Sequence, residues 1–494
     1  MFERFRAMWQ SGERVGPANT AIPRVYARSG YESASTAPRV RDWNPPDLSA
    51  AGATTSASTI RTRCRDAVRN DSWARAIVET FDDDLIGWGI KPLSRALNEI
   101  FRQATQALWE DWSAVADADG VLDMAGLQSL IVRTWAVDGE CFIRLRYRKP
   151  EDGLPVPLQV QILPAEICPI EHTTIGTDGA TIQQGIEYDA IGRRIAYWCY
   201  DTPPGDELGV SGLGTLHRVP AAQMLHLFDP LRPGQRRGVS MLAPALVRLR
   251  ELDKYADATL LRLELSSMFV ATLKRPPELG QDDLNPLTGR PFETTPDGRA
   301  VLQMSPGAFQ ELYPDEDLTF NDPPDPPVGF DAYVQHELRA AGAAVGVPLE
   351  CFTHAWGATN DRLARVVLNQ YRRRLHRLLW SVVVPQVLRP LWNAWFKLAI
   401  GIQALPINPD MYLEDRLGRV TFVPHAHAYV HPVQDVASYR EAVRSGLTSR
   451  AAAVAEQGED AELIDAQNAA DNARADKLGL KYDSDGRVNQ KGTK

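Results

Sequence analysis

F-D-P-L-R-P-G-Q-R-R-G-V-S-M-L-A-P-A-L-V-R-L-R-E-L-D-K-Y-A-D-A-T-L-L-R-L-E-L-S-S-M, Phe228 to Met268, decides the fold. From Met241 onward Leu242, Leu246, Leu249, Leu260 and Leu263 recur at helical spacing, which predicts one long amphipathic helix ending at Met268. At 1.5 Å per residue it spans roughly 40 Å, more than a domain needs for its own core, so it reads as a strut. Lys274 to Pro327 follows with eleven acids against four bases, a balance of −7, and eleven prolines, which predicts a small loop-rich lobe containing strands. A second helix is expected from Asp331, as its N-cap, to Val345, with Gly346 and Pro348 as stop signals. Helix out, acidic lobe, helix back is a hairpin with a small domain at its tip.

Beyond the hairpin, Leu349 to Asn360 lacks helical periodicity and reads as a loop, and Thr359 or Asn360 can cap the helix after it. That helix carries Arg362, Arg365, Arg372, Arg373, Arg374, Arg377, Arg389 and Lys397 against Asp361, a balance of +7, and Pro385 and Pro390 should kink or divide it. After His431-Pro432, three short helices are expected: Val433 to Ser445, Ser449 to Gln457 and Ala461 to Leu478, stopped by Gly446, Gly458 and Gly479, with Thr448 and Asp460 as caps.

On the other side of the strut, Ser11 to Thr59 is too poor in large apolar residues to build a core and reads as an extended arm with Trp43 as its anchor. Arg61 to Leu85, Leu97 to Val115 and Leu122 to Val137 have helical spacing. From Cys141 the pattern changes to period two: C-F-I-R-L-R-Y-R, L-Q-V-Q-I-L, G-I-E-Y, I-A-Y-W-C-Y and M-L-H-L-F, with a turn signal at Asp178-Gly179. These predict a largely antiparallel sheet and, with the helices, an α+β body.

The chain has 494 residues, 44% hydrophobic and 24% charged, enough for about three domains. No apolar run reaches a membrane span, and Met1 to Trp9 lacks the apolar core of a secretory signal, so a cytoplasmic protein with no membrane partner is expected. Cys64, Cys141, Cys168, Cys199 and Cys351 are widely spaced with no C-x-x-C pair and read as buried free thiols. The net charge of −9 argues against a tight duplex binder, whose affinity rests on phosphate neutralisation. It does not argue against a wall along which a duplex slides, since repeated negative charge repels phosphates. Phosphate-loop and nucleophile-elbow motifs are lacking, and no cofactor, metal or catalytic site is expected. Asp82, Asp83 and Asp84 point about 100° apart on a helix and read as a solvated end; His425, His427 and His431 have strand-like spacing but no fourth ligand. Trp380, Trp392, Trp395 and Phe396 read as core.

A series of segments, in order, resembles the lambda-type portal family of tailed bacteriophages. They are R-T-R-C-R-D-A-V-R-N-D-S-W-A-R-A-I from Arg61, I-G-W-G-I-K-P from Ile86, V-D-G-E-C-F-I-R from Val137, G-I-E-Y-D-A-I-G-R-R-I-A-Y from Gly185, R-P-G-Q-R-R-G-V-S from Arg232, F-N-D-P-P-D-P-P from Phe320 and A-A-G-A-A-V-G-V-P-L-E from Ala340, then G-L-T-S-R and A-E-Q-G-E-D near the C-terminus. The resemblance covers about Arg39 to Leu480. It implies an α+β portal fold: an N-terminal arm (1–60), an α/β wing (61–239), a first stem helix (240–273), a small β-containing clip (274–327), a second stem helix (328–347) and a channel loop (348–360). A long kinked basic helix returning to the wing (361–430), a helical crown (431–480) and a disordered tail (481–494) complete it.

Members of that family form a ring at one capsid vertex through which DNA is packaged and ejected. The resemblance implies a homo-oligomer of twelve copies, double-stranded DNA passing without sequence specificity, and contacts with the packaging motor (the terminase large subunit), the capsid protein and head-tail connector proteins. Thr353, His354, Trp356, Thr359 and Asn360 would be the loop that touches DNA, although many members carry N-Y-S-S-x-R where this chain has T-N-D-R at Thr359 to Arg362. Arg362, Arg365, Arg372, Arg373 and Arg377 would meet DNA phosphates or acidic groups of the next subunit; Arg372 to Arg374 point in three directions, which favours the second role. Asp282, Asp283, Asp315, Glu316 and Asp317 of the clip would dock the motor or tail. The alternatives are a phage-encoded nuclease or protease, or a DNA-binding adaptor using the C-terminal helices, whose acids Glu456, Glu459, Asp460, Glu462, Asp465 and Asp471 weigh against it.

Overall fold

The computed structural model describes residues 42, 45–175, 181–204, 215–268, 272–274, 293–294, 300–301, 317–319, 329–357, 359–406, 417–427 and 431–480. The chain divides at Ser49, and the described residues before it, 42 and 45–49, form no helix or strand.

Helical structure begins inside the expected arm, with α1 (Ala50–Ala53) and α2 (Ala57–Asn70), because Ala57, Arg61 and Cys64 share one buried face. The single helix expected over Arg61 to Leu85 is two. Asp71 is extended, and its carboxylate accepts from the Trp73 and Ala74 N–H groups at 2.8 and 3.2 Å, which starts α3 (Ser72–Leu85). Asn98 caps α4 (Glu99–Ser113) and Asp123 caps α5 (Met124–Asp138).

The period-two runs form two antiparallel sheets rather than one. In the first, β2 (Cys141–Tyr147) lies between β3 (Leu158–Leu163) and β9 (Met224–Leu227). In the second, β4 (Thr174–Ile175), β5 (Thr181–Gln183), β6 (Ile186–Tyr188), β7 (Arg194–Tyr200) and β8 (Leu216–Pro220) pair in chain order. The Asp178-Gly179 turn signal lies outside the described residues. A further pair, which periodicity missed, joins β1 (Lys91–Ser94) to β14 (Val420–Val423) across more than 300 residues of chain.

The strut helix, α6 (Leu246–Met268), starts later than Met241. Pro244 has no N–H to donate, and the chain before it makes short turns, Ala243 N–H to Ser240 O and Ala245 N–H to Leu242 O. Its partner α7 (Phe330–Val345) is capped by Gly329, so Asp331 is not the cap but sits in the first turn, where it accepts from Gln335. The two helices run antiparallel. Tyr255 stacks on Phe330 at 5.5 Å and meets Tyr333 edge-on at 5.0 Å, and Arg248 pairs with Glu337 at 2.8 Å. Leu249 and Leu252 of α6 and Leu338, Ala341 and Val345 of α7 are buried at one end of the pair, whereas no residue from 253 to 264 is. The hairpin is rooted in the body and leaves it. Between its helices, β10 (Thr272–Lys274) pairs with β13 (Asp317–Thr319) and β11 (Glu293–Thr294) with β12 (Ala300–Val301).

The core closes around tryptophans. Trp109 and Trp112 of α4 meet Trp392 and Trp395 of α10 (Arg389–Gly401), with ring centroids as close as 5.0 Å between the two helices. Two indole N–H groups are satisfied, Trp112 donating to Leu158 O at 2.7 Å and Trp392 to Gly418 O at 3.2 Å. Trp380, expected with them, is 45% exposed, because it falls on the exposed stripe of its helix with Arg377 and Ser381.

Candidate nucleic-acid interface

The segment read as a loop opens with a short helix, α8 (Leu349–Thr353). Thr353 is its last residue, and its hydroxyl donates to Leu349 O at 2.7 Å and accepts from Ala355 N–H at 3.3 Å. His354 ends it in the left-handed region at φ 55°, its side chain exposed. Trp356 folds back onto the core, so it is half-buried and anchors the loop rather than leaving it. Thr359 N–H returns to Trp356 O at 2.9 Å. Asn360 is the cap of α9 (Asp361–Leu378): its amide oxygen accepts from Leu363 N–H at 2.8 Å. Of the five loop residues, His354 and Asn360 are exposed. Asn360→Ala is expected to cost about 1 kcal/mol, the usual worth of such a cap. Faster hydrogen exchange confined to the first turn of α9 is the readout, and unchanged exchange there would refute it.

α9 continues without a break through wide π-type turns, Leu379–Leu388, into α10. Pro385 lies in those turns, and the Arg389 N–H reaches back to Val384 O. Widening absorbs the proline that was expected to kink or divide the helix.

The arginines of α9 diverge. Arg377 pairs with Asp229 at 3.3 Å, and Arg374 donates to Val345 O at 2.6 Å, tying α9 to the root of the hairpin. Arg365 lies 3.9 Å from Asp361 and reaches Gln434 at 3.4 Å. Arg362 and Arg373 are exposed and Arg372 is half-buried.

The three histidines separate. His431 pairs with Asp361 at 2.8 Å, while His425 and His427 sit 5.1 Å apart beside His376. Among the described residues no group of three histidine, cysteine or acidic side chains is placed to hold a metal, and no helix is long and apolar enough to cross a membrane. The Asp82–Asp84 run is not a solvated end. Only Asp83 is exposed; Asp82 accepts from Ser129 at 2.5 Å, and burial raises its carboxyl to about 6. All five cysteines are buried and free. At the C-terminus, α11 (Pro432–Arg444), α12 (Arg450–Glu456) and α13 (Ala461–Leu478) follow, with Ser449, not Thr448, capping α12 by accepting from Ala452 N–H at 3.0 Å. Of the acidic lobe, Asp282, Asp283, Asp315 and Glu316 lie outside the described residues, and Asp317 is in β13, opposite Lys274.

Sequence reading missed a buried charge cluster that several quoted segments build together. Glu140, fully buried, accepts from Arg237 at 2.6 and 2.8 Å, from Arg61 at 3.2 Å, from the Gly238 N–H at 3.0 Å and from His226 Nε2 at 3.1 Å. Arg237, also fully buried, spends its other N–H groups on Gln184 O at 2.7 Å and Cys168 O at 3.0 Å, which binds the second sheet to the first. Burial alone would raise the Glu140 carboxyl, but Arg237 and His226 outweigh it and hold it well below the usual range. Burial lowers His226 to about 4, against the pull of Glu140. Beside this cluster Arg65 grips Asp138 and Glu166, each through two hydrogen bonds of 2.5 to 2.8 Å. The backbones touch as well: a Cβ on Gly139 would stand 2.2 Å from Val239 C, and one on Gly238 would stand 1.9 Å from Gly139 O. The one sequence signal was an ion-forming residue beside a glycine in two separate segments, Gly139-Glu140 and Arg237-Gly238.

Residues 36–378 match the family described as phage portal protein, lambda family. A probable portal protein of Halomonas phage phiHAP-1 is 22% identical over 434 residues, spanning 85% of this chain and 81% of that protein. Portal protein B of Escherichia phage lambda is 20% identical over 506 residues, spanning 94% and 93%. Among solved structures, a chain from the neck of an empty GTA particle aligns over 82% of this chain and 93% of its own length, at 14% identity and a TM-score of 0.49. The relatives are portal proteins, a structural and non-enzymatic family. Because the match runs from before α1 to the last residue of α9 and takes in every member of the Glu140 cluster, this chain belongs to the lambda family of phage portal proteins.

Proposed function

We propose that copies of this chain assemble as a ring, twelve by family resemblance, at one capsid vertex, acting as a conduit for DNA packaging and ejection and as a docking site for the packaging motor and tail connector. In this reading α6 and α7 are the stem, the acidic lobe between them the clip, α11–α13 the crown and the remaining body the wing. The observation that carries it is the hairpin. Leu260, Leu261 and Leu263 are 57%, 55% and 37% exposed on a helix that has already left the body, and adjoining copies of the same hairpin are the natural cover for them. A net charge of −9 per copy, repeated around an axis, repels phosphates and keeps a duplex from adhering.

Mass photometry and negative-stain averages of the purified chain test the reading. The wild type should be a closed ring without ATPase or nuclease turnover. Leu260→Asp with Leu261→Asp should give a monomer whose circular dichroism is unchanged. A wild-type monomer with turnover would support the enzyme alternative, and micromolar or tighter duplex binding with a steep salt slope would support the adaptor.

A further inference from the structure

A cavity of about 1090 Å³ lies between α9 on one side and α11, α12 and the turn after β14 on the other. Arg95, Arg365, Arg372 and Arg373 line it against two carboxylates, Asp435 and Glu456. Asp435 is already turned back on its own helix, accepting from the His431 N–H at 3.0 Å. Three imidazoles, His376, His425 and His427, add to the wall. Burial lowers His427 to about 4, and Arg372, His425 and His376 push it the same way, which marks the interior as electropositive.

Two buried polar atoms in this wall have no hydrogen-bond partner. One is Nδ1 of His425, a residue only 7% exposed; the other is Nε of Arg365. A guanidinium N–H can only donate; Nε of Arg365 lies 3.9 Å from Asp361, too far for a hydrogen bond, which leaves that N–H for an incoming acceptor. The cavity is several times larger than one carboxylate side chain, and its arginines come from both β1's end and α9. An extended polyanion satisfies that spread better than a single charge.

We propose that this cavity is an oxyanion site that takes phosphate groups, either the phosphodiesters of a nucleic-acid strand or a free oligophosphate. It is a property of one subunit and stands apart from the conduit reading.

Calorimetric titration of the full-length protein with tripolyphosphate, and separately with a short fluorescent single-stranded DNA, tests it. Saturable tripolyphosphate binding is expected, weakened at least about tenfold by Arg365→Gln or Arg373→Gln, the loss that follows removal of a charge-assisted hydrogen bond. Arg440→Gln should bind as the wild type does, since Arg440 is on α11 but not in the cavity wall. Arg373 is exposed, so its variant carries the test if Arg365→Gln does not fold. DNA displaced by tripolyphosphate with the same variant pattern assigns the site to nucleic-acid backbone; binding of tripolyphosphate without DNA assigns it to free oligophosphate. Lack of saturable binding, or an equal loss in Arg440→Gln, overturns the proposal.

Discussion

Glu140→Ala lowers folding stability by about 3–5 kcal/mol, the range for removing one partner of a buried ion pair. The loss comes chiefly from what remains. Arg237 is fully buried and without the carboxylate keeps its charge with no counter-ion at hand, while Arg61, only 5% exposed, is left with Glu166 at 3.9 Å. Glu140→Gln should fall well short of rescuing the fold, because it restores shape and one acceptor but not the charge. Urea unfolding followed by tryptophan fluorescence measures both, since Trp109, Trp112, Trp392 and Trp395 pack in the same core. A loss below about 1 kcal/mol for the alanine variant would mean that water reaches the arginines, contrary to their burial.

Acid weakens the fold through His226 by up to roughly 3 kcal/mol, the free energy of moving one imidazole from an ordinary value to about 4. The sign follows from proton counts. Above pH 6.5 the imidazole is neutral in both states and contributes no slope. Between 6.5 and about 4 the unfolded chain takes up a proton that the folded chain does not, so stability falls with pH, levelling below 4. Glu140 stays charged throughout that window. Asp82 works the other way. Its folded carboxyl titrates at about 6 against 3.8 in the ordinary state, so the folded chain gains a proton first and recovers part of the loss between those values. His226→Gln isolates the imidazole: its urea midpoint should change less between pH 7 and pH 4.5 than that of the wild type. Equal slopes in the two proteins would remove His226 as the cause.

Much of this fold could be read from the chain because its local signals agree with its tertiary structure. Leu249 and Leu252 at helical spacing, the period-two run from Cys141 to Tyr147 and the glycines that end α12 and α13 depend on neighbours a few residues away. Where the reading failed, the deciding contact was distant or the competing signal was a single side chain. Asp71 divides one apolar pattern into two helices by capping the second. Lys91–Ser94 becomes a strand only because Val420–Val423 comes to lie beside it. The residues expected to form a DNA-touching loop were the least legible part. Nothing near Trp356 says whether its indole leaves the loop or returns to the body, and nothing near Thr353 shows that its hydroxyl is engaged by Leu349 and Ala355. Glu140 is flanked by residues that look like an ordinary strand start, and its partners Arg61 and Arg237 lie 79 and 97 residues away.

That last interval has a consequence on the ribosome. Glu140 is synthesised 97 residues before Arg237, which at bacterial elongation rates of about 5–20 residues per second leaves its carboxylate without that counter-ion for roughly 5–20 s. Through that interval Arg61, made 79 residues earlier, is the arginine at hand for Glu140. The hydrogen bonds by which Arg237 ties Gln184 and Cys168 to the Glu140 cluster can form only after the Arg237-Gly238 turn has left the exit tunnel.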